Sequence, residues 1–211
     1  GFNSLDNKSW MWGIKITSDD RVVTTGICNF VSFMSSECTY GYTSAGGYSS
    51  TKQIDKNLYE SIPDTDWRKK SWLDPDREKF DYQLIHPADF YENLPDYSVL
   101  KFRPGQGNGG DVMTGSAADF PIMRVEEMYF IEMEATAAMG ELDKAVTMLN
   151  DFMKFRVTDG SYDCTRLVED FETFTDEMLL QKRAEFWGEG IVMYDYKRMD
   201  KGITRSYTNS N

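Results

Sequence analysis

The stretch from Met123 to Arg156, MRVEEMYFIEMEATAAMGELDKAVTMLNDFMKFR, limits the possible folds more than any other part of the chain. Apolar residues recur at i, i+3 and i+4 on both sides of Gly140, which predicts two amphipathic helices joined by a short connection. Small residues near the connection let two antiparallel helices approach closely, as in an αα-hairpin. The predicted apolar faces consist of Val125, Met128, Tyr129, Ala135 and Ala138 in the first helix and of Leu142, Ala145, Val146, Leu149, Phe152 and Met153 in the second.

Such a hairpin resembles one tetratricopeptide-like unit, and a single unit cannot bury its apolar faces alone. Further helices are therefore expected, in this chain or in a part of the protein outside it. One follows the sequence ETFT, with Thr175 as the expected N-cap and Asp176 and Glu177 where the helix dipole favours negative charge. Its apolar positions are Leu179, Leu180, Phe186 and Trp187.

The tail QKRAEFWGEGIVMYDYKRMDKG, residues 181–202, places charges and aromatics around a Gly-Glu-Gly interruption. Gly188 and Gly190 weaken a helix by about 1 kcal/mol each relative to alanine, so they predict a break with Glu189 in a turn. After the break, Asp195 and Arg198 are three residues apart and can pair on one helix face.

Two readings of this tail are possible. Glu185 and Glu189 are four residues apart, so their Cβ atoms would lie about 5–6 Å apart, and a retaining glycosidase needs carboxyl groups about 5–5.5 Å apart. However, Arg183 and Arg198 would keep both carboxylates ionised, whereas a general acid needs a raised pKa. We therefore favour a scaffold of arginine–carboxylate pairs that satisfies partly buried charges.

The helical region and the tail together resemble the C-terminal part of the SusD/RagB family of outer-membrane nutrient-binding lipoproteins. The upstream sequence LYESIPDTDWRK resembles the Asp-x-Arg segment of that family through Asp66 and Arg68. Two positions depart from the family pattern, with Gln181 where an acid is usual and Val192 where an arginine is common. The matching positions are Arg124, Glu127, Glu134, Ala135, Gly140, Ala145, Asn150, Arg156, Arg183, Glu185, Glu189, Gly190, Asp195 and Arg198.

This resemblance implies a mainly α fold with a tetratricopeptide-like helix hairpin, long irregular loops and a few short strands. It also implies a non-catalytic protein at the cell surface, held to the outer membrane by a lipidated N-terminal cysteine that we expect to lie outside this sequence. Such a protein caps a SusC-like TonB-dependent transporter and delivers an oligosaccharide or polysaccharide to it. We expect a single C-terminal domain over residues 1–211, with a loop-rich part at 1–120 and a helical scaffold at 121–200.

The sequence pattern of the loop-rich part predicts two elements of secondary structure. SWMWGIKIT alternates as a strand, and we expect Trp10 and Trp12 to lie in the core, although a sugar platform is the alternative. SSTKQIDKNLYESIP predicts a helix at 50–62, with Ser50 and Gln53 in capping-box spacing and Pro63 as a stop. Its expected apolar positions are Ile54, Leu58 and Ile62.

Aromatic side chains on loops are the expected ligand contacts, since a sugar presents an apolar face of C–H groups that stacks on a ring. The glycine-rich segment 35–49 carries three tyrosines, and the charged segment around RKK carries two tryptophans. Packing onto the core, or covering a helix end, is the alternative for each of them. The expected contacts are Tyr40, Tyr42, Tyr48, Trp67 and Trp72.

Composition excludes several other classes of function. A net charge of −12 without a basic run argues against nucleic acid as a partner. Cys28, Cys38 and Cys164 form neither a disulfide framework nor a metal motif, although a Cys28–Cys38 bridge stays open, and we expect no cofactor or metal. The one histidine, His86, has no recognisable triad partners. The remaining alternative is a protein-interaction module that docks the transporter without binding sugar.

Overall fold

The computed structural model describes residues 2–24, 30–39, 51–105 and 115–203. The chain forms two compact units, the first made of Gly1–Ile54 and Lys70–Glu126 and the second of Asp55–Lys69 and Glu127–Asn211. Whether both units fold together as one domain stays a prediction.

Helices dominate the described residues, which confirms the predicted mainly α fold. The described residues also include a short 3-10 helix, Trp67–Ser71. None of the helices described here combines the length and the apolar character needed to cross a membrane. The other elements are β1 Trp10–Ile14, α1 Arg21–Thr24, α2 Phe30–Met34, α3 Ser36–Thr39, α4 Lys56–Ser61, α5 Ala88–Glu92, β2 Phe120–Arg124, α6 Val125–Ala138, α7 Leu142–Met153, α8 Phe171–Glu185 and α9 Val192–Arg198.

The first unit contains an antiparallel sheet of β1 and β2. The predicted strand is confirmed, but its alternation is interrupted, because the register shifts between Trp10 and Trp12 and again before Gly13. A bulge of this kind turns the following side chains away from the face that the alternation predicts. Trp10 is therefore buried as expected, whereas the prediction of a core position is wrong for Trp12, which is 60% exposed.

The predicted helix at 50–62 begins later than the capping box suggested. Asp55 caps α4, since its side chain accepts a hydrogen bond from the backbone N–H of Leu58 at 3.0 Å. Gln53 instead lies in an extended segment that forms a bridge with Ser98. The predicted apolar stripe is nevertheless confirmed, because all three of its residues are buried: Ile54, Leu58 and Ile62.

In the second unit, the chain between α6 and α7 turns at Gly140, as predicted. Gly140 has φ +87°, and the N–H of Glu141 donates to the carbonyl of Thr136 at 3.1 Å. A second bond runs from the N–H of Gly140 to the carbonyl of Ala137 at 3.0 Å. Together these bonds form a Schellman motif, which satisfies the last carbonyls of α6 and ends the helix.

The inward face of α6 differs from the prediction. Ala135, Ala138 and Tyr129 are exposed, and the core is formed instead by Phe130, Met133 and Ala137. Both sets have helical spacing, so periodicity alone cannot choose between them. The face predicted for α7 is confirmed in the core, where Ala145, Leu149 and Met153 are fully buried.

The third predicted helix, α8, also begins earlier than expected. Asp170 is its N-cap and forms a reciprocal capping box with Thr173, so the prediction of Thr175 as the cap is wrong. Thr175 lies inside the helix and is buried. Phe174 and Met178 from this helix are fully buried and join the same core as α6 and α7.

Replacement of Gly140 by alanine tests the helix-ending turn. A Cβ at this position meets no atom within 4 Å, so the left-handed φ is the only strain. We expect Gly140→Ala to lower the free energy of unfolding by about 1 kcal/mol in urea titrations. Gly202→Ala is the control, because its Cβ is equally unobstructed and its φ lies outside the left-handed range. Equal stability of the two variants would contradict this assignment.

Candidate functional site

Arg68 is the centre of a buried polar network in the second unit. Its Nη2 donates to Asp66 Oδ2 at 2.6 Å, and its Nε contacts both oxygens of the same carboxylate at 3.1 Å. Nη2 also donates to Gln181 Oε1 at 2.7 Å, and Nη1 donates to Glu185 Oε2 at 3.3 Å. Such forked, charge-assisted bonds fix the relative orientation of the paired side chains as well as holding them together.

Glu185, near the end of α8, is shared by two arginines. Besides Arg68, Arg156 donates from Nε to Oε2 at 3.1 Å and from Nη2 to Oε1 at 3.2 Å. The Glu185 side chain is buried, as is that of Asp66. Two guanidinium groups therefore face two carboxylates, Asp66 and Glu185, and the buried charges cancel. This compensation offsets the desolvation penalty that isolated buried ions would carry.

Gln181 extends the network without adding a charge. Its Oε1 accepts from Arg68, and its Nε2 donates to Glu177 Oε1 at 2.9 Å. Tyr162 donates its hydroxyl to the same Glu177 oxygen at 2.7 Å, and burial raises the pKa of Tyr162 above its usual value. An ionised carboxylate only accepts hydrogen bonds, so an acid at position 181 would lack the donor that Glu177 receives here.

A second network joins α6, α8 and α9. Lys182 Nζ lies 2.5 Å from Asp195 Oδ2, and Arg198 Nη2 lies 2.7 Å from Asp195 Oδ1, which confirms the predicted i, i+3 pair. Arg198 also donates to Glu134, and this hydrogen bond raises the pKa of the Arg198 guanidinium. Two cations again face two carboxylates.

The Gly-Glu-Gly interruption brings α9 against this network. Gly188 and Gly190 have φ +76° and +82°, values that glycine adopts without a steric penalty, and α8 ends before them as predicted. Glu189 lies in the turn, where its N–H donates to the carbonyl of Phe186 at 3.0 Å. The Gly-Glu-Gly segment thus forms the turn between α8 and α9.

The geometry gives Glu185 a structural role. Both of its oxygens accept hydrogen bonds from arginines, and its side chain is buried, so a substrate has no access to the carboxylate.

An exposed aromatic pair lies on the surface above the first network. We call Trp67 and Phe155 the aromatic platform. The indole Nε1–H of Trp67 donates to the carbonyl of Phe155 at 2.6 Å, and the backbone N–H of Trp67 donates to the carbonyl of Arg156 at 3.1 Å. Trp67 is 49% exposed and Phe155 is 74% exposed. The backbone beneath them is held by a bridge between Asp66 and Val157.

The other predicted ligand contacts have different outcomes. Tyr40, Tyr42 and Tyr48 lie outside the described residues. Trp72 is 0% exposed and belongs to the core of the first unit, so its ring has no surface for a sugar to stack on. Among the described residues, no group of three or more His, Cys, Asp or Glu side chains could hold a metal ion.

Phe155 was not among the ligand contacts predicted from the sequence. It follows Phe152 at i+3 and therefore continues the apolar stripe of α7 in phase. The helix ends at Met153, however, and the chain then runs antiparallel to the segment around Asp66. A helix boundary decides whether Phe155 lies in the core or on the surface, and boundaries are the least certain feature of a sequence-based prediction.

A sequence profile described as the SusD family matches residues 28–211. The chain belongs to the SusD family. The buried networks lie at the positions that carried the resemblance, including Arg68, Arg156, Glu185, Asp195 and Arg198.

A solved structure supports this assignment of the SusD-family chain. This chain is similar to the crystal structure of a SusD-like carbohydrate binding protein from Bacteroides vulgatus ATCC 8482, with a TM-score of 0.66 and 25% sequence identity. The similarity covers 99% of this chain and 38% of the other, so the SusD-family chain described here spans well under half of that protein. No curated protein sequence matches it significantly.

Removal of the Glu185 charge tests the first network. Glu185→Gln keeps the side-chain shape but leaves two guanidinium groups with one carboxylate between them in a buried site. We expect a loss of about 3 kcal/mol in the free energy of unfolding, measured by urea titration, because an uncompensated buried charge is costly.

The matched control is Glu141→Gln, which removes a charge from the exposed pair of Glu141 and Lys144. Exposed pairs contribute at most about 1 kcal/mol, so this variant should stay within about 0.5 kcal/mol of the unmodified chain. A similarly small effect of Glu185→Gln would show that the buried network does not stabilise the fold.

Proposed function

We propose that this chain is a non-catalytic glycan-binding accessory of a TonB-dependent nutrient uptake system at the bacterial outer membrane. It would capture an oligosaccharide or polysaccharide and pass it to a SusC-like transporter. Membership of the SusD family and similarity to a carbohydrate binding protein support this proposal. The aromatic platform is the observation that carries it for this chain.

The platform has the properties that sugar stacking requires. A pyranose ring offers one face of C–H groups, which gains contact with an exposed aromatic face, while its hydroxyls need polar partners at the rim. Trp67 is exposed, yet two hydrogen bonds to the carbonyls of Phe155 and Arg156 hold it in place. A ring that is already ordered loses little conformational entropy when a ligand binds.

Phe155 widens the surface. Its side chain is the more exposed of the two, and its own carbonyl accepts the Trp67 indole N–H, so the residues are adjacent. Two exposed aromatic residues linked in this way suit an extended chain of sugar units better than a single monosaccharide. Tyr40, Tyr42 and Tyr48 remain proposed contacts on the strength of the sequence pattern alone.

Replacement of Trp67 by alanine tests this function. We expect Trp67→Ala to weaken glycan binding about tenfold, or about 1.4 kcal/mol, because one stacked ring supplies much of the energy in a shallow site. Affinity electrophoresis in polysaccharide gels identifies the ligand, and calorimetry with its oligosaccharides measures the affinity. Tyr40→Ala and Tyr42→Ala test the loop contribution in the same assays.

Trp12→Ala is the matched control, since Trp12 is an exposed tryptophan of the first unit on β1. It should leave binding unchanged. Equal losses in the two tryptophan variants would contradict a site at Trp67. Release of reducing sugar from any bound glycan, abolished by Glu185→Gln or Glu189→Gln, would contradict the non-catalytic assignment.

A second candidate function has a separate observation in its favour. The outward face of α6 and the residue that follows the helix expose Ile131, Ala135, Ala138 and Met139, with Ile131 51% exposed and Met139 70% exposed. Exposed apolar side chains that cluster in this way are a candidate surface for a partner protein. Under this proposal the outward face of α6 docks the transporter, with or without sugar binding at the platform.

Charge insertion tests docking through the outward face of α6. Ile131→Asp and Met139→Asp should each abolish co-purification with the transporter barrel, because a charge would be buried without a partner at the interface. Both residues are exposed, so the effect on the stability of the isolated chain should stay within about 0.5 kcal/mol. Trp67→Ala is the control and should leave co-purification intact. Retained co-purification of both aspartate variants would exclude this face.

A further inference from the structure

We infer that the aromatic platform selects uncharged glycans over glycans that carry carboxylate or sulfate groups. This inference rests on the proposed glycan binding at Trp67 and concerns the class of sugar that this site accepts. The inference rests on the charged side chains of the second unit that lie close to Trp67 or Phe155 in the sequence, and on the residues with which those side chains form ion pairs.

The cation nearest the platform is already neutralised. The Arg156 guanidinium carbon lies 5.7 Å from the centre of the Trp67 ring, where it would be the natural partner of an anionic sugar. However, its Nε and Nη2 both bind Glu185. The charge of Arg156 is therefore compensated by a buried carboxylate, and its side chain is only 11% exposed, so it attracts an incoming carboxylate weakly.

The remaining cations of the second unit around the platform are also paired. Arg68 binds Asp66 at 2.6 Å and is buried. Lys69 lies 2.8 Å from Asp64 and also donates to the carbonyl of Ile62 at 2.7 Å. Lys154, directly before Phe155 in the chain, lies 2.6 Å from Asp151.

Within the second unit, the acidic side chains of this set outnumber the basic ones. The basic side chains in this set number four, namely Arg68, Lys69, Lys154 and Arg156, and the acidic ones number five, namely Asp64, Asp66, Asp151, Asp159 and Glu185. The carboxylates of Asp64 and Asp151 are more than half exposed. An exposed charge acts on a ligand over about one Debye length, which is about 8 Å at physiological salt.

Asp159 adds an ionised acceptor beside the segment that carries Trp67. The backbone N–H of Thr158 donates to the carbonyl of Thr65 at 3.4 Å, which places the two segments side by side. Hydrogen bonds from Ser161, first from its backbone N–H and then from its side chain, hold the pKa of Asp159 below its usual value. An ionised carboxylate beside this segment disfavours the approach of a sugar acid.

The same carboxylates suit a neutral sugar. A carboxylate accepts hydrogen bonds but does not donate them, and each sugar hydroxyl has one proton to donate. Bonds from hydroxyls to ionised acceptors are stronger than bonds between neutral groups. Two exposed rings with acidic acceptors at the rim therefore match the apolar face and the hydroxyl edge of an uncharged glycan. The net charge of −12 on the whole chain also disfavours polyanions.

Matched polysaccharide pairs test this inference, since each pair differs mainly in charge. Affinity electrophoresis of the whole chain uses hydroxyethylcellulose against carboxymethylcellulose, dextran against dextran sulfate, and methyl-esterified pectin against polygalacturonate. We expect retardation by at least one neutral member, a tenfold or larger loss of retardation with its charged counterpart, and loss of the neutral interaction in Trp67→Ala. Calorimetry of the bound glycan at 50 and 300 mM NaCl should show less than a twofold change in affinity.

The outcomes distinguish the inference about the charge of the glycan from the proposal that the platform binds a glycan at all. Binding of a charged member that depends on Trp67 would overturn the inference while upholding glycan binding. Absence of binding to the whole panel, extended to neutral starch, xylan and mannan gels, would overturn both. Lys70, the exposed residue that follows Lys69 in the chain, supplies the control Lys70→Gln. This variant should leave neutral binding unchanged, and a tenfold loss would show that a cation contributes and would also overturn the inference.

Discussion

The ion pairs that Glu185 forms with two arginines hold three segments of the second unit together. Arg68 comes from the 3-10 helix, Arg156 follows α7, and Glu185 lies at the end of α8. Separation of any one segment would break at least one of these buried, charge-assisted pairs, which are stronger than pairs exposed to water. Since guanidinium groups bind in a forked geometry, the network specifies the orientation of these segments as well as their proximity.

The same ion pairs position the aromatic platform. Trp67 directly precedes Arg68, and Phe155 directly precedes Arg156. The bridge between Asp66 and Val157 joins the two segments. In each segment the arginine is held in the buried network, and the aromatic residue before it is exposed. A scaffold motif buried beneath the surface thus determines which residues the surface presents.

Much of this arrangement follows from the sequence, because it depends on local spacing. The helix hairpin, the break at Gly188 and the pairing of Asp195 with Arg198 are all short-range features. The outward face of α6 and the exposure of Trp12 are not, since each depends on a tertiary choice between two apolar faces or on a bulge in the register of β1. The position of Phe155 likewise depends on where α7 ends, which long-range pairing decides.

The charge balance of the first network also separates the scaffold from the ligand surface. The charges of Asp66, Arg68, Arg156 and Glu185 sum to zero, so these four side chains together carry no net charge. Gln181 preserves that balance, because its amide satisfies Arg68 and Glu177 at once, whereas a carboxylate there would add an uncompensated negative charge. The selectivity for uncharged sugars that we propose would then rest on the exposed carboxylates of the second unit and on the pairing of Arg68 and Arg156.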